Sequence, residues 1–114
     1  MSAMLGVSEA RNAKMSKLGD VVQGIEQTDN ALTIYAVKPW SADSDALLAV
    51  EPDQGAPEVP KGMEYCLEAS LVKEVIEVWS EWREGAVPTA ADRMEAVLYY
   101  AEYDAYLPTA EMLA

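Results

Sequence analysis

Residues 70–106 read SLVKEVIEVWSEWREGAVPTAADRMEAVLYYAEYDAY, and this stretch decides the fold because apolar residues recur at helical spacing on both sides of one break. Before the break, Leu71, Val72, Val75, Ile76, Val78, Trp79 and Trp82 form a wide stripe, with Lys73, Glu74, Glu77, Ser80, Glu81 and Glu84 opposite. That pattern is an amphipathic helix with one side to bury. Ser70 stands where an N-cap hydroxyl would accept from first-turn amides. Gly85 supplies the positive φ that ends a helix, and Pro88 cannot continue one. Thr89 then caps a second helix, with Asp92 near the positive end of its dipole.

On a helical wheel the second helix gathers Ala90, Met94, Val97, Leu98, Ala101 and Ala105 into an apolar sector, the expected core side. Tyr99, Tyr103 and Tyr106 fall roughly opposite, among Asp92, Glu95 and Glu102. Two readings of that aromatic side stand. The helix lies between two layers, each phenol reaching a polar partner, or the tyrosines and carboxylates form an exposed recognition patch, since tyrosine is enriched at binding hot spots.

Length and composition narrow the function classes. With 114 residues the chain makes one domain with a sufficient core, and its single cysteine, Cys66, forms no internal disulfide. Cys66 reads as a structural thiol, because there is no histidine to activate it. The lack of histidine also removes the usual triads and most zinc ligand sets. Chance pairs such as Glu64 with Glu68 and Glu77 with Glu81 read as solvated carboxylates rather than acid–base couples. Glu51 to Gly55 lacks the alternating ligands and closing glutamate of a calcium loop. No cofactor, metal site or enzymatic activity is therefore expected.

No apolar run approaches a membrane span, and no signal-peptide core opens the chain, so the expected compartment is the cytoplasm. Acids and bases cancel up to residue 42, and the whole net charge of −12 lies beyond it. Direct nucleic-acid or anionic-membrane binding is disfavoured, while a basic protein partner is favoured because the field speeds its approach. Acidity conferring solubility alone is the plain alternative.

In chain order, residues 1–14 read as an N-terminal extension, and Met15 is an alternative start to Met1. Leu18, Val21, Val22 and Ile25 mark a helix, Gln27 to Asn30 a turn, and Leu32 to Val37 a strand closed by Pro39 and Trp40. Ala46 to Val50 reads as a buried strand, with helix also possible, Glu51 to Gly62 as a mobile exposed loop, and Met63 to Glu68 as a third strand. The expected fold is α+β: an antiparallel sheet of about three strands, one N-terminal helix and two C-terminal helices over residues 15–108, then a tail at 109–114.

Leu18-Gly19-Asp20-Val21-Val22, the run from Ala31 to Trp40, Glu64-Tyr65-Cys66-Leu67 and the ending from Glu95 to Tyr106 together resemble a family of small, acidic, uncharacterised bacterial proteins. The resemblance covers about residues 17–108 and implies no activity and no catalytic residue. In size, acidity and histidine content such chains look like immunity proteins, which neutralise a toxin by covering its basic active site. The expected function is thus a non-catalytic acidic protein that binds a basic partner such as a toxin. Tyr99, Tyr103 and Tyr106 would be anchors, Glu95, Glu102 and Asp104 the rim, and Trp40 a contributor. The alternatives are a homo-oligomerising structural module, with the homodimer its simplest form, and a nucleic-acid mimic.

Overall fold

The computed structural model describes residues 15–50, 54–55 and 58–114. The expected extension over residues 1–14 and parts of the loop after Val50 lie outside the described residues. The strand that the sheet is built on is β2, Leu32–Val37, whose residues Thr33, Ile34, Tyr35 and Ala36 are all buried. A strand buried on consecutive positions has both faces covered, which alternation alone does not reveal. The other strands are β1, Ser16–Lys17, β3, Asp45–Val50, and β4, Met63–Glu68, in the order β1-β3-β2-β4 with every pairing antiparallel. The fold is α+β, as expected, with four strands rather than three. The added strand is two residues long, too short to leave a period in the sequence.

The helices are α1, Leu18–Gln23, α2, Ala69–Glu81, α3, Ala90–Tyr103, and the terminal turn α4, Ala110–Leu113. The apolar sides of α1, α2 and α3 meet one face of the sheet. Leu18, Val22, Ile25, Val72, Val75 and Val97 pack with Ile34, Ala36, Ala46, Cys66 and Leu67 in one buried cluster. The other face carries a smaller cluster of Tyr35, Leu47 and Met63, against which Val59 packs. The segment read as an exposed loop thus sends Val59 back onto the sheet, because Tyr35 and Leu47 leave apolar surface there.

A bulge on β4 links the two clusters. Ile34 pairs with Leu67 and the next residue, Tyr35, pairs with Tyr65, so Cys66 is the extra residue. The bulge lets two successive residues, Cys66 and Leu67, both enter the helix-side core. It also puts Glu64 and Glu68, which an unbroken strand would hold on one face, on opposite faces: Glu64 lies opposite Ala36 and Glu68 opposite Thr33, positions of opposite orientation on β2.

Local signals at the helix ends are kept at Gly85 and Thr89 but not at Ser70. Strand β4 runs directly into α2, buried Ala69 opens the helix, and Glu68 occupies the cap position without a side-chain bond. Ser70 is consequently inside the first turn and exposed, not the N-cap. At the far end Gly85 takes φ 83° and its amide donates to the Ser80 carbonyl at 2.8 Å, closing the helix. Thr89 caps α3 as expected: its hydroxyl accepts from the Asp92 amide and the Asp92 carboxylate accepts from the Thr89 amide. Such a reciprocal cap contributes about 1 kcal/mol and sets where α3 starts.

Candidate functional site

The orientation of α3 decides which tyrosines are available. Val97 is fully buried, Met94 and Ala96 flank it, and Arg93 turns inward, donating to the Glu26 carboxylate at 2.8 Å and to the Val22 carbonyl. Met94, Val97, Leu98 and Ala101 of the expected sector stay on the core side, which Arg93, reaching partners on α1 and the turn after it, widens towards Ala96 and Tyr100. Ala90 is exposed, and Ala105 is exposed beyond the end of the helix. Tyr100, not assigned to the core by its spacing, packs against it.

Glu95, Tyr99, Glu102 and Tyr103 are left along the outer side, three and four residues apart, where helical neighbours meet. Tyr99 and Tyr103 contact each other with ring centroids 4.7 Å apart at a 50° tilt. Tyr99 is half-buried beneath Tyr103, which is 65% exposed. These four residues form a ridge of two contacting aromatic rings and two carboxylates.

Trp40 approaches the ridge from the sheet. The chain turns out of β2 through Lys38 and Pro39, joined by a cis peptide bond. The buried Ser44 hydroxyl donates to the Pro39 carbonyl and accepts from the Ser41 amide, which holds that turn. The Trp40 indole N–H donates back to the Ala36 carbonyl at 3.2 Å, and the ring packs on the core edge. Trp40, Lys38, Pro39, Leu98 and Glu102 line a cleft of about 440 Å³. Leu98 also closes the end of an apolar groove of about 490 Å³ between α1 and α3, where Gly19, Ala42, Ala91 and Met94 lie. A Cβ at Gly19 would come 3.1 Å from that of Ala42, so any side chain there would push this turn away from α1 by a few tenths of an ångström. Glu95 lines a separate cleft with Trp82, Arg83 and the Leu107 to Leu113 segment.

Two expected site residues are placed elsewhere in role. The helix stops at Tyr103, and Asp104 adopts the left-handed cap conformation, φ 57°, its amide donating to the Tyr100 carbonyl at 2.7 Å. Tyr106 therefore cannot continue the Tyr99–Tyr103 spacing. Its ring instead meets Trp82 edge-on at 5.7 Å and Tyr100 at 5.3 Å, and its hydroxyl donates to the Glu74 carboxylate on α2. That bond to Glu74 pushes the phenol up to about 12. Burial, with the Asp104 and Glu74 carboxylates adding, raises the Tyr100 phenol as well. Arg83 stacks on Trp79 and donates to the Leu107 and Pro108 carbonyls, so residues 106–108 are tied to α2 and the turn after it by the side chains of Glu74 and Arg83. Tyr106 is a structural tie, and Trp82, expected in the buried stripe, is 38% exposed beside it.

A scan of protein-family models matches residues 15–109 to a domain of unknown function. The chain belongs to the DUF7716 family. It matches no curated protein and no solved structure.

The chemistry open to this DUF7716 domain follows from its groups. Cys66 is buried, and desolvation pushes its thiol up to about 12, so it is protonated at neutral pH. Among the described residues no cluster of three or more acids or cysteines is arranged to hold a metal ion, and no helix is long and apolar enough to cross a membrane. The ridge offers contact area, hydrogen-bonding phenols and negative charge. Sequence reasoning brought Tyr99, Tyr103, Glu95, Glu102 and Trp40 forward and missed Lys38, Leu98 and the groove. Gly19 inside a helical pattern was the available signal for the groove, since glycine there marks a close backbone approach.

Proposed function

We propose that this DUF7716 domain is a non-catalytic acidic binding protein whose α3 ridge docks on a basic protein. The observation that carries the reading is the contact of half-buried Tyr99 with exposed Tyr103 alongside Glu95 and Glu102, on a helix whose opposite side is fixed in the core. Rigid aromatics on a packed helix lose little entropy on binding, and a carboxylate rim suits a partner of opposite charge. The net charge of −12 extends that complementarity beyond the contact. In its most specific form the partner is a toxin whose basic active site the ridge covers, as an immunity protein would.

The test begins with capture from source-cell lysate at low and high salt, with bound proteins identified by mass. The expected result is a stoichiometric basic protein, released as salt rises. Its own activity then separates inhibition of a toxin from mimicry of a nucleic acid. Titration calorimetry against that protein should show Tyr103→Ala weakening binding at least ~30-fold, the size of a central aromatic anchor. Absence of a basic partner at low salt, with a stable dimer by sedimentation, would replace this reading with a homo-oligomeric structural module.

A further inference from the structure

The cleft beside the ridge already holds a cation. Lys38 places its Nζ over the Trp40 ring, 4.7 Å from the centroid, and 3.7 Å from the Glu64 carboxylate. Its side chain is 51% exposed, so the contact forms at the mouth of the cleft rather than in the core. The indole is anchored through its N–H to Ala36, which leaves the ring face as its recognition surface. The cleft is completed by Leu98, an aliphatic residue, and Glu102, a carboxylate, both from α3.

An aromatic face, an apolar wall and a carboxylate are the three surfaces an arginine side chain uses. Its flat guanidinium stacks on an indole while its fork faces a carboxylate, and its methylene stem lies on apolar carbon. An ammonium is more strongly hydrated and acts as a point charge, so it gains less from the same surfaces. Glu64, 3.7 Å from the Lys38 ammonium, is a second partner for that charge besides the ring.

We infer that the Trp40–Glu102 cleft is an arginine subsite, filled by an arginine side chain of the basic partner, with Lys38 as the internal occupant that this arginine displaces. The inference rests on the partner-binding reading above and names the chemistry of one anchor. It makes the cleft selective for arginine over lysine, and it makes Lys38 a competitor for the same ring face.

The probe is acetyl-arginine amide, titrated into the isotope-labelled full chain while the indole N–H resonances are followed; that of Trp40 is the one lost in Trp40→Phe. A saturable shift of this resonance is expected, weaker with acetyl-lysine amide. Lys38→Ala should tighten acetyl-arginine amide about two- to fivefold by removing the competing cation–π contact, and Glu102→Gln should weaken it about threefold. A resonance that does not move in either the wild type or Lys38→Ala overturns the inference, as does a Lys38→Ala variant that binds no more tightly. Failure here with a basic partner captured at low salt leaves the proposed function standing. A filled cleft with no such partner counts against that function and not against the chemistry of the cleft.

Discussion

Replacing Tyr103 by alanine separates a binding ridge from a packing surface. Tyr103 is 65% exposed and its ring contact is with Tyr99. Removing an aromatic pair forfeits about 1 kcal/mol at most, and alanine returns about 0.5 kcal/mol in helix propensity. The net loss is ~0.5 kcal/mol. Unfolding entropy for a domain of this size is on the order of 0.2 kcal/mol per kelvin, so Tm should fall by about 2–3 K. Val97→Ala, one position from Leu98 on the same helix, is the internal standard. Val97 is 0% exposed. Losing two buried carbons at ~0.8 kcal/mol each, plus the cavity they leave, costs about 2–3 kcal/mol and lowers Tm by ~10–15 K. Both are read by scanning calorimetry on the full chain. A Tm loss in Tyr103→Ala that matches Val97→Ala would refute the assignment, because Tyr103 would then be holding the fold and could not be free to receive a partner.

Glu26 gives a pH test of the tie between the turn after α1 and α3. The hydrogen bond from Arg93 holds its carboxyl below the ordinary range, so its contribution is full above that range and is lost as pH falls through the lowered value. Glu26 is half-exposed, which limits the contribution to at most ~1 kcal/mol. Glu26→Gln should be less stable than wild type in neutral urea titrations and equal to it in strong acid; a gap that persists at pH 2 would contradict the ion-pair account. Cys66 should react with a disulfide reagent at least ~100-fold more slowly in the folded chain than in guanidinium, since burial keeps it a protonated thiol. Comparable rates would place it at the surface.

Elements whose cause is local were legible. The Thr89–Asp92 cap, the Gly85 stop and the strand Leu32–Val37 each depend on residues a few positions apart, and each appears where its sequence signal lies. The candidate site was legible in part for the same reason: Glu95, Tyr99, Glu102 and Tyr103 share a side of α3 by helical arithmetic alone. That arithmetic fails at Tyr106, because nothing in the spacing announces that Asp104 will cap the helix and send the ring to Trp82 and Glu74.

What the sequence determined by itself was composition-borne and periodic: an acidic α+β domain with paired C-terminal helices and an aromatic, carboxylate-bearing side on the second. Only the tertiary structure decided how wide the core side of α3 is, because Arg93 is drawn inward by Glu26 and the Val22 carbonyl from 67 or more residues away. It likewise decided that Trp40, Leu98 and Glu102 line one cleft, and that one residue of bulge at Cys66 turns a strand over. Helical and strand periods record which residues share a face; which face is buried, and what stands across from it, depends on partners distant in the chain.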